Sequence, residues 1–319
     1  MDVIADSVLV VRAGIEVLSW AVFDEHPVDV VVTTRHGGVS EGPYATLNLG
    51  FHVGDDPAAV VENRQRAAAA VGAELDELVF CRQSHGRRVV TVTAVDRGRG
   101  ARAAEGAIES ADALVTATPG VGLVMMGADC TPIVLYDPCA GVVGCVHSGW
   151  RGTTGRVLDA TLAAMAALGA RPGRTIAAVG PAIAADRYQV GPDVTEAATS
   201  AFGDVEGIVA PDGTGRWTFD LWAANSRILA EAGVPSTQMH RSALPTGTPE
   251  FFSDRAVRPC GRQGVVARLR PAGRAALDHQ PTVSISTSTS KARYTASARR
   301  SRVTRGSPLA TAVAPTSAS

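Results

Sequence analysis

The chain has 319 residues, 45% hydrophobic and 19% charged, a composition that suits a soluble globular protein with a substantial buried core. Its formal charge of −1 supplies no electrostatic argument for nucleic acid or an anionic membrane as the main partner. No apolar run approaches the roughly 20 residues needed to span a bilayer, so neither a membrane nor a nucleic-acid partner is expected.

The first residues, "MDVIADSVLVVRAGIEVLSW", carry early acids and no basic segment ahead of an apolar one, so they do not read as a signal peptide. "VDVVVTT" (28–34) is a β-rich apolar run. "DDPAAVVENRQRAAAAVG" (55–72) predicts a helix that opens on acids and Pro57 and stops at Gly72. "LVFCRQSHG" (78–86) reads as a strand entering a loop. "VGLVMMGADC" (121–130) and "AGVVGCVHSG" (140–149) read as two buried strands separated by the turn-like "YDPCAG". A helix is expected over 153–170, opened by Thr153 and closed at Gly169, and "TIAAVGPAI" (175–183) reads as a strand. Residues 219–234 predict a helix capped by Asp220 and ended by Gly233.

Strands and helices interleave without a repeat or linker, which gives one mixed α/β (α+β) domain over residues 1–270, with mixed β-sheets flanked by helices. From Pro271 to Ser319 the composition shifts to Ser, Thr, Ala and Arg, with a net charge of +6 that leaves −7 for the rest. This tail buries too little apolar surface to offset its ordering entropy and is expected to be disordered and solvated. Lys291, within it, is the chain's single lysine. Five cysteines (81, 130, 139, 145 and 260) form no disulfide framework, so reduced thiols and a cytoplasmic location are expected.

Chemistry-bearing residues gather at the ends of these runs. Cys130 follows Asp129 at the end of one apolar run, His147 precedes Gly149 at the end of another, and His85 lies where 78–86 turns into a loop. On a strand, Val143, Cys145 and His147 would share one face. Two imidazoles and a thiolate meeting at one point would make a three-ligand zinc site with a fourth position open. Taken singly, such a Cys is more often a small buried hydrophobe and such a His a hydrogen-bonded or exposed one, and no close-spaced metal motif is present. "HSGWRGTTGR" adds Arg151 and Arg156 on a Gly-rich turn before a helix, a suitable anion site. "TTRHGGVS" (33–40) is a second such loop with Arg35, which could equally make a structural ion pair. Trp150 and Tyr188 read as packing residues rather than base-stacking platforms. Neither a Walker motif, a G-x-G-x-x-G after a strand, nor a G-x-S-x-G is present.

The segments "TTRHGGVSEGPYATLNLGFHVGDDPAAVVENR", "QSHG", "ADALVT", "GADCTPIVLYD", "HSGWRG", "VGPAI" and "FFSDR…GRQ", in this order, resemble the YfiH-type laccase-domain family over about residues 25–270. The resemblance implies mixed sheets flanked by helices and a zinc site of His85, Cys130 and His147. It also implies purine nucleoside phosphorolysis, with adenosine deamination on the same metal as a second activity. Departures fall in the C-terminal part that would contact substrate: Ala182 and Arg187 where the family often has Cys, Asp254 and Ala256 in "FFSDRA", and no Cys-Thr pair before that stretch.

Phosphorolysis needs an anion site beside C1′ of the ribose, for which Arg35 and Arg151 are the candidates, with nucleoside and phosphate as the small-molecule partners. Deamination needs a hydroxide aimed at C6 of adenine, which zinc generates near neutral pH; the H-x-E with P-C-x-x-C deaminase pattern is absent. A copper-dependent polyphenol oxidase, the family's older name, is the less favoured alternative: the seven histidines include no H-x-H pair, although one His₂Cys site could take up copper. A cysteine or zinc amide hydrolase editing peptidoglycan precursors would use the same Cys130 with a histidine base. A non-enzymatic binding module is the least supported reading.

Overall fold

The layering follows from the alternation of side chains along central strands. In Val142–Ser148, Val142 and Val146 enter one core while Val143 and Cys145 enter another, so this strand is buried on both faces. The computed structural model describes residues 3–274, and the backbone of residues 280 and 281, within one compact unit. Apart from its first four residues and that pair, the basic tail expected from residue 271 lies outside the described residues.

The strand Val142–Ser148 sits in a seven-stranded mixed sheet, here the site sheet. Its order is Ile4–Ala5, Met239–Arg241, Ile176–Val179, Thr131–Asp137, Val142–Ser148, Ala113–Thr116 and Val89–Thr91. A second seven-stranded sheet runs Gln280–Pro281, Ser7–Arg12, Ile15–Trp20, Val28–Thr33, Gln263–Leu269, Gly122–Gly127 and Leu78–Val79. The two pack face to face through Val134, Val143 and Cys145 of the site sheet and Val30, Leu123 and Val265 of the second. Helices Val157–Ala167, Pro192–Phe202 and Leu221–Glu231 cover the outer face of the site sheet, and helix Pro57–Ala69 that of the second sheet. A small sheet of Gln189–Val190, Trp217–Phe219 and Val209–Pro211 lies after the helix-bearing half begins. The expected mixed α/β architecture is therefore present.

Local signals place several elements where expected. Helix Pro57–Ala69 is N-capped by Asp56, whose carboxylate accepts from Ala58 N, and Leu221–Glu231 by Asp220, which accepts from Ala223 N. Two elements differ. The apolar stretch 121–149 contains three strands, not two: Thr131–Asp137 pairs with Val142–Ser148 on one side and Ile176–Val179 on the other, while Gly122–Gly127 belongs to the second sheet. Cys130 therefore lies in the short crossover between the two sheets, not at the end of a strand. The helix expected over 153–170 is broken: Trp150–Thr154 precedes Val157–Ala167, and Arg156 between them takes φ +63°, held by Asp159 and Glu231.

Candidate metal centre and cavity

Three crossovers bring His85, Cys130 and His147 together. His147 ends the central strand Val142–Ser148, Cys130 lies between the sheets, and His85 stands in the loop after Leu78–Val79 with φ +58°. Their ligand atoms all lie within 4.8 Å of one another, and the two imidazole rings meet nearly edge to face at 4.9 Å. The three residues can hold a metal ion, the convergence considered from sequence. Among the described residues, no other group of three or more His, Cys, Asp or Glu comes together in this way.

Asp112, directly before the strand Ala113–Thr116, organises the set. Its buried carboxylate accepts from His147 Nδ1 at 3.0 Å, from the backbone N–H groups of His85, Ser84 and Gly86 at 2.9, 3.2 and 2.7 Å, and from Ser84 Oγ at 3.0 Å. Burial alone would raise its pKa. The hydrogen bonds from His147, Gly86 and Ser84 outweigh burial and hold the carboxyl well below the usual carboxylate range. Donation from Nδ1 leaves Nε2 of His147 as the atom able to bind a metal, the usual carboxylate–histidine arrangement around ligating imidazoles. Burial disfavours the Cys130 thiolate, yet the charge and hydrogen bond of His147, then those of His85, bring the thiol down to about 6. Burial likewise disfavours the His147 imidazolium, but Cys130 and Asp112 push it up to about 9. Both shifts favour the thiolate–imidazolium form of the pair in the metal-free protein.

Glycine makes the room. A Cβ on Gly149 would lie 2.6 Å from Cys130 Sγ, so any other residue there would invade the thiolate's position. Asp129 adopts φ +95° and ties the crossover to the C-terminal half, accepting from Thr246 Oγ1 at 2.6 Å and from the Arg255 backbone N–H at 2.7 Å. The fit of a transition metal rests on this donor set: two imidazoles, a thiol already biased to thiolate, and a side-chain-free cradle against the sulfur.

The cluster opens on a cavity of about 720 Å³. Phe51, Phe80, Trp150 and Tyr188 give it aromatic walls, and six arginines line it against two acids, Asp129 and Asp254. Arg64, buried, donates to the carbonyls of Leu49, Gly100 and Ala101, and its guanidinium stacks on Phe51 and Phe80 at 4.2 and 3.9 Å. His52 is held below its ordinary pKa by burial and then by the charges of Arg262 and Arg64. Tyr188 is pushed up by burial and the Cys130 charge, so its phenol stays protonated.

Of the two arginines offered from sequence as phosphate ligands, Arg151 lines this cavity beside Trp150, 4.3 Å above its ring. Arg35 lies apart from the lining: its Nε and Nη2 donate to the Ala45 carbonyl at 3.0 and 2.9 Å, and it stacks on Phe252 at 4.7 Å. Sequence reasoning passed over Asp112 and Arg255. For Asp112 the signal was an acid flanked by alanines at the entry to an apolar run, "ADALVT".

Residues 29–270 match the family described as multi-copper polyphenol oxidoreductase laccase. The chain belongs to this family. Within it, a Deinococcus radiodurans protein named purine nucleoside phosphorylase is 48% identical over 232 residues, covering 73% of this chain and 84% of the relative. A protein named adenosine deaminase RL5, from an unknown prokaryotic organism, is 39% identical and covers 67% of this chain and 82% of its own length. The crystal structure of YlmD from Geobacillus stearothermophilus superposes with a TM-score of 0.76 at 35% identity, covering 80% of this chain and 96% of that one. This laccase-family chain thus shares its relatives' mixed α/β fold. No helix among its described residues is long and apolar enough to cross a membrane.

Proposed function

We propose that this chain is a cytoplasmic purine nucleoside phosphorylase whose centre, His85, Cys130 and His147, holds zinc, with adenosine deamination as a second activity there. The observation that carries the reading is the junction of this cluster with a cavity that is both aromatic and rich in arginine. Relatives named purine nucleoside phosphorylase and adenosine deaminase support it. In phosphorolysis a phosphate oxygen bonds to C1′ of the ribose while the C1′–N9 bond breaks, its electron pair leaving with the purine, which takes up a proton. Aromatic walls suit the purine, and the uncommitted guanidinium of Arg151 suits phosphate. Arg35 is assigned to bracing the loop at Ala45. When bound, zinc would supply Lewis acidity and a water of lowered pKa. Asp112 would keep His147 in one tautomer and orientation.

Incubation of the protein with adenosine, with and without phosphate, and chromatographic separation of products tests this. Adenine released only with phosphate, and lost in Cys130→Ala, is the expected result; the absence of both adenine and inosine from the products would overturn the reading. One observation favours a second reading. Cys130, His147 and Asp112 stand in the order nucleophile, base and orienting acid, as an amide hydrolase acting on peptidoglycan precursors would require. A bound metal would occupy that thiolate, so metal content separates the two.

A further inference from the structure

Most of the cavity's positive charge is already committed. Arg64 is taken up by three carbonyls, Arg82 faces Glu109 at 3.5 Å, and Arg258 and Arg262 both pair with Asp254, at 2.6 and 3.0 Å. Asp254 is one of the residues by which this chain departs from the family pattern, and here it neutralises two arginines on the cavity wall.

Arg151 and Arg255 are different. Arg151 donates no side-chain hydrogen bond to any described residue and rests only on the Trp150 ring. Arg255 uses Nη1 on the Gln189 carbonyl at 3.0 Å, leaving its Nε and Nη2 without a partner among the described residues. Its guanidinium lies 5.2 Å from the ring centroid of Tyr188. Tyr188 is the third uncommitted donor: its hydroxyl makes no hydrogen bond to a described residue, although the ring lines the cavity.

These groups are held in place by rigid surroundings. The Tyr188 ring meets Phe219 edge-on at 6.3 Å, its backbone N–H donates to Ala185 O, and its carbonyl accepts from Phe219 N. The Arg255 backbone is pinned by Asp129, next to Cys130. Cys130, Asp129, Arg151 and Arg255 line the same cavity as Tyr188, and their charges all act on its phenol. Asp129 offsets only part of the charge of the two guanidiniums there, and its two oxygens already accept from Thr246 and the Arg255 backbone.

We propose that Arg151, Tyr188 and Arg255 form a subsite for a tetrahedral oxyanion, inorganic phosphate, beside the Cys130 centre. Two guanidiniums and one neutral hydroxyl, drawn from three separate segments, match an anion with several acceptor oxygens. This deepens the phosphorylase reading and rests on it for the identity of the anion.

The test is titration of the full, metal-containing chain with inorganic phosphate, followed by calorimetry. Arg255→Gln, Tyr188→Phe and Arg151→Gln are compared with Arg171→Gln, which removes an exposed charge outside the cavity lining. Each cavity variant is expected to weaken phosphate binding by about ten-fold, the usual worth of a charge-assisted hydrogen bond, while the control stays within about two-fold. In turnover, Tyr188→Phe should raise the phosphate KM and leave the nucleoside KM in place, a split that general loss of packing would not produce. Failure of the wild-type chain to bind phosphate, or binding untouched by Arg255→Gln and Tyr188→Phe, overturns the subsite. Binding through these residues without any release of base keeps the subsite and sinks the phosphorylase reading. Phosphate-dependent release of base that ignores all three variants does the reverse.

Discussion

Replacing Asp112 with Asn tests whether one buried carboxylate organises the centre. The carboxylate accepts five hydrogen bonds, two on Oδ1 and three on Oδ2. An amide turns one of these oxygens into a donor. If it replaces Oδ2, the N–H groups of Ser84 and Gly86 lose their acceptor; if it replaces Oδ1, His85 N–H and His147 Nδ1 lose theirs. Two orphaned buried donors at about 1–3 kcal/mol each give a loss of about 4 kcal/mol. At about 2–4 °C per kcal/mol for a domain of this size, Tm should fall by about 10 °C. His147 has one escape, the opposite tautomer, but that puts its proton on Nε2 and removes the lone pair a metal needs. Metal affinity should therefore drop by about 10–100-fold. Thermal unfolding of the metal-stripped proteins measures the first effect without contribution from binding, and chelator competition measures the second. A Tm change below about 2 °C together with unchanged metal affinity would refute the reasoning.

Gly149→Ala would place a methyl group 2.6 Å from Cys130 Sγ, and metal retained after dialysis should fall by at least about ten-fold with the fold intact by circular dichroism. Asp137 is fully buried; hydrogen bonds from Arg171 N, Arg174, Ala140 N and Cys139 N outweigh burial and lower its pKa. A folded pKa below the unfolded value contributes stability above about pH 4 that is lost as pH falls further, so the wild-type Tm should drop more steeply there than that of Asp137→Asn. Arg64→Lys cannot reach the carbonyls of Leu49, Gly100 and Ala101 together, nor stack between Phe51 and Phe80, and should cost about 2–4 kcal/mol in denaturant unfolding.

Local signals were legible where one segment decides its own conformation. Pro57 with Asp56, and Asp220 with Gly233, mark helix ends by capping chemistry that needs no tertiary partner. The alternation in "GVVGCVHSG" separates Val142 and Val146 from Val143 and Cys145, because both faces of that strand are buried. What stayed hidden depends on distant contacts. "TPIVLYD" merges with its apolar neighbours in sequence, and only the switch of sheet at Cys130 separates it from Gly122–Gly127. The break at Arg156 depends on Glu231, 75 residues away. The metal trio is legible in its position at the ends of apolar runs and in the motif resemblance. Arg151 and Arg35 looked equivalent as Arg/Gly loops, and only the Ala45 carbonyl and the Phe252 ring distinguish them.

The most direct test of the central claim, that His85, Cys130 and His147 together hold one ion, is elemental analysis of the dialysed protein beside the three single alanine variants. The account predicts zinc at one ion per chain in the wild type and its loss in every variant. A chain that retains no metal yet still turns over adenosine would contradict it and move the chemistry to the Cys130 thiolate itself.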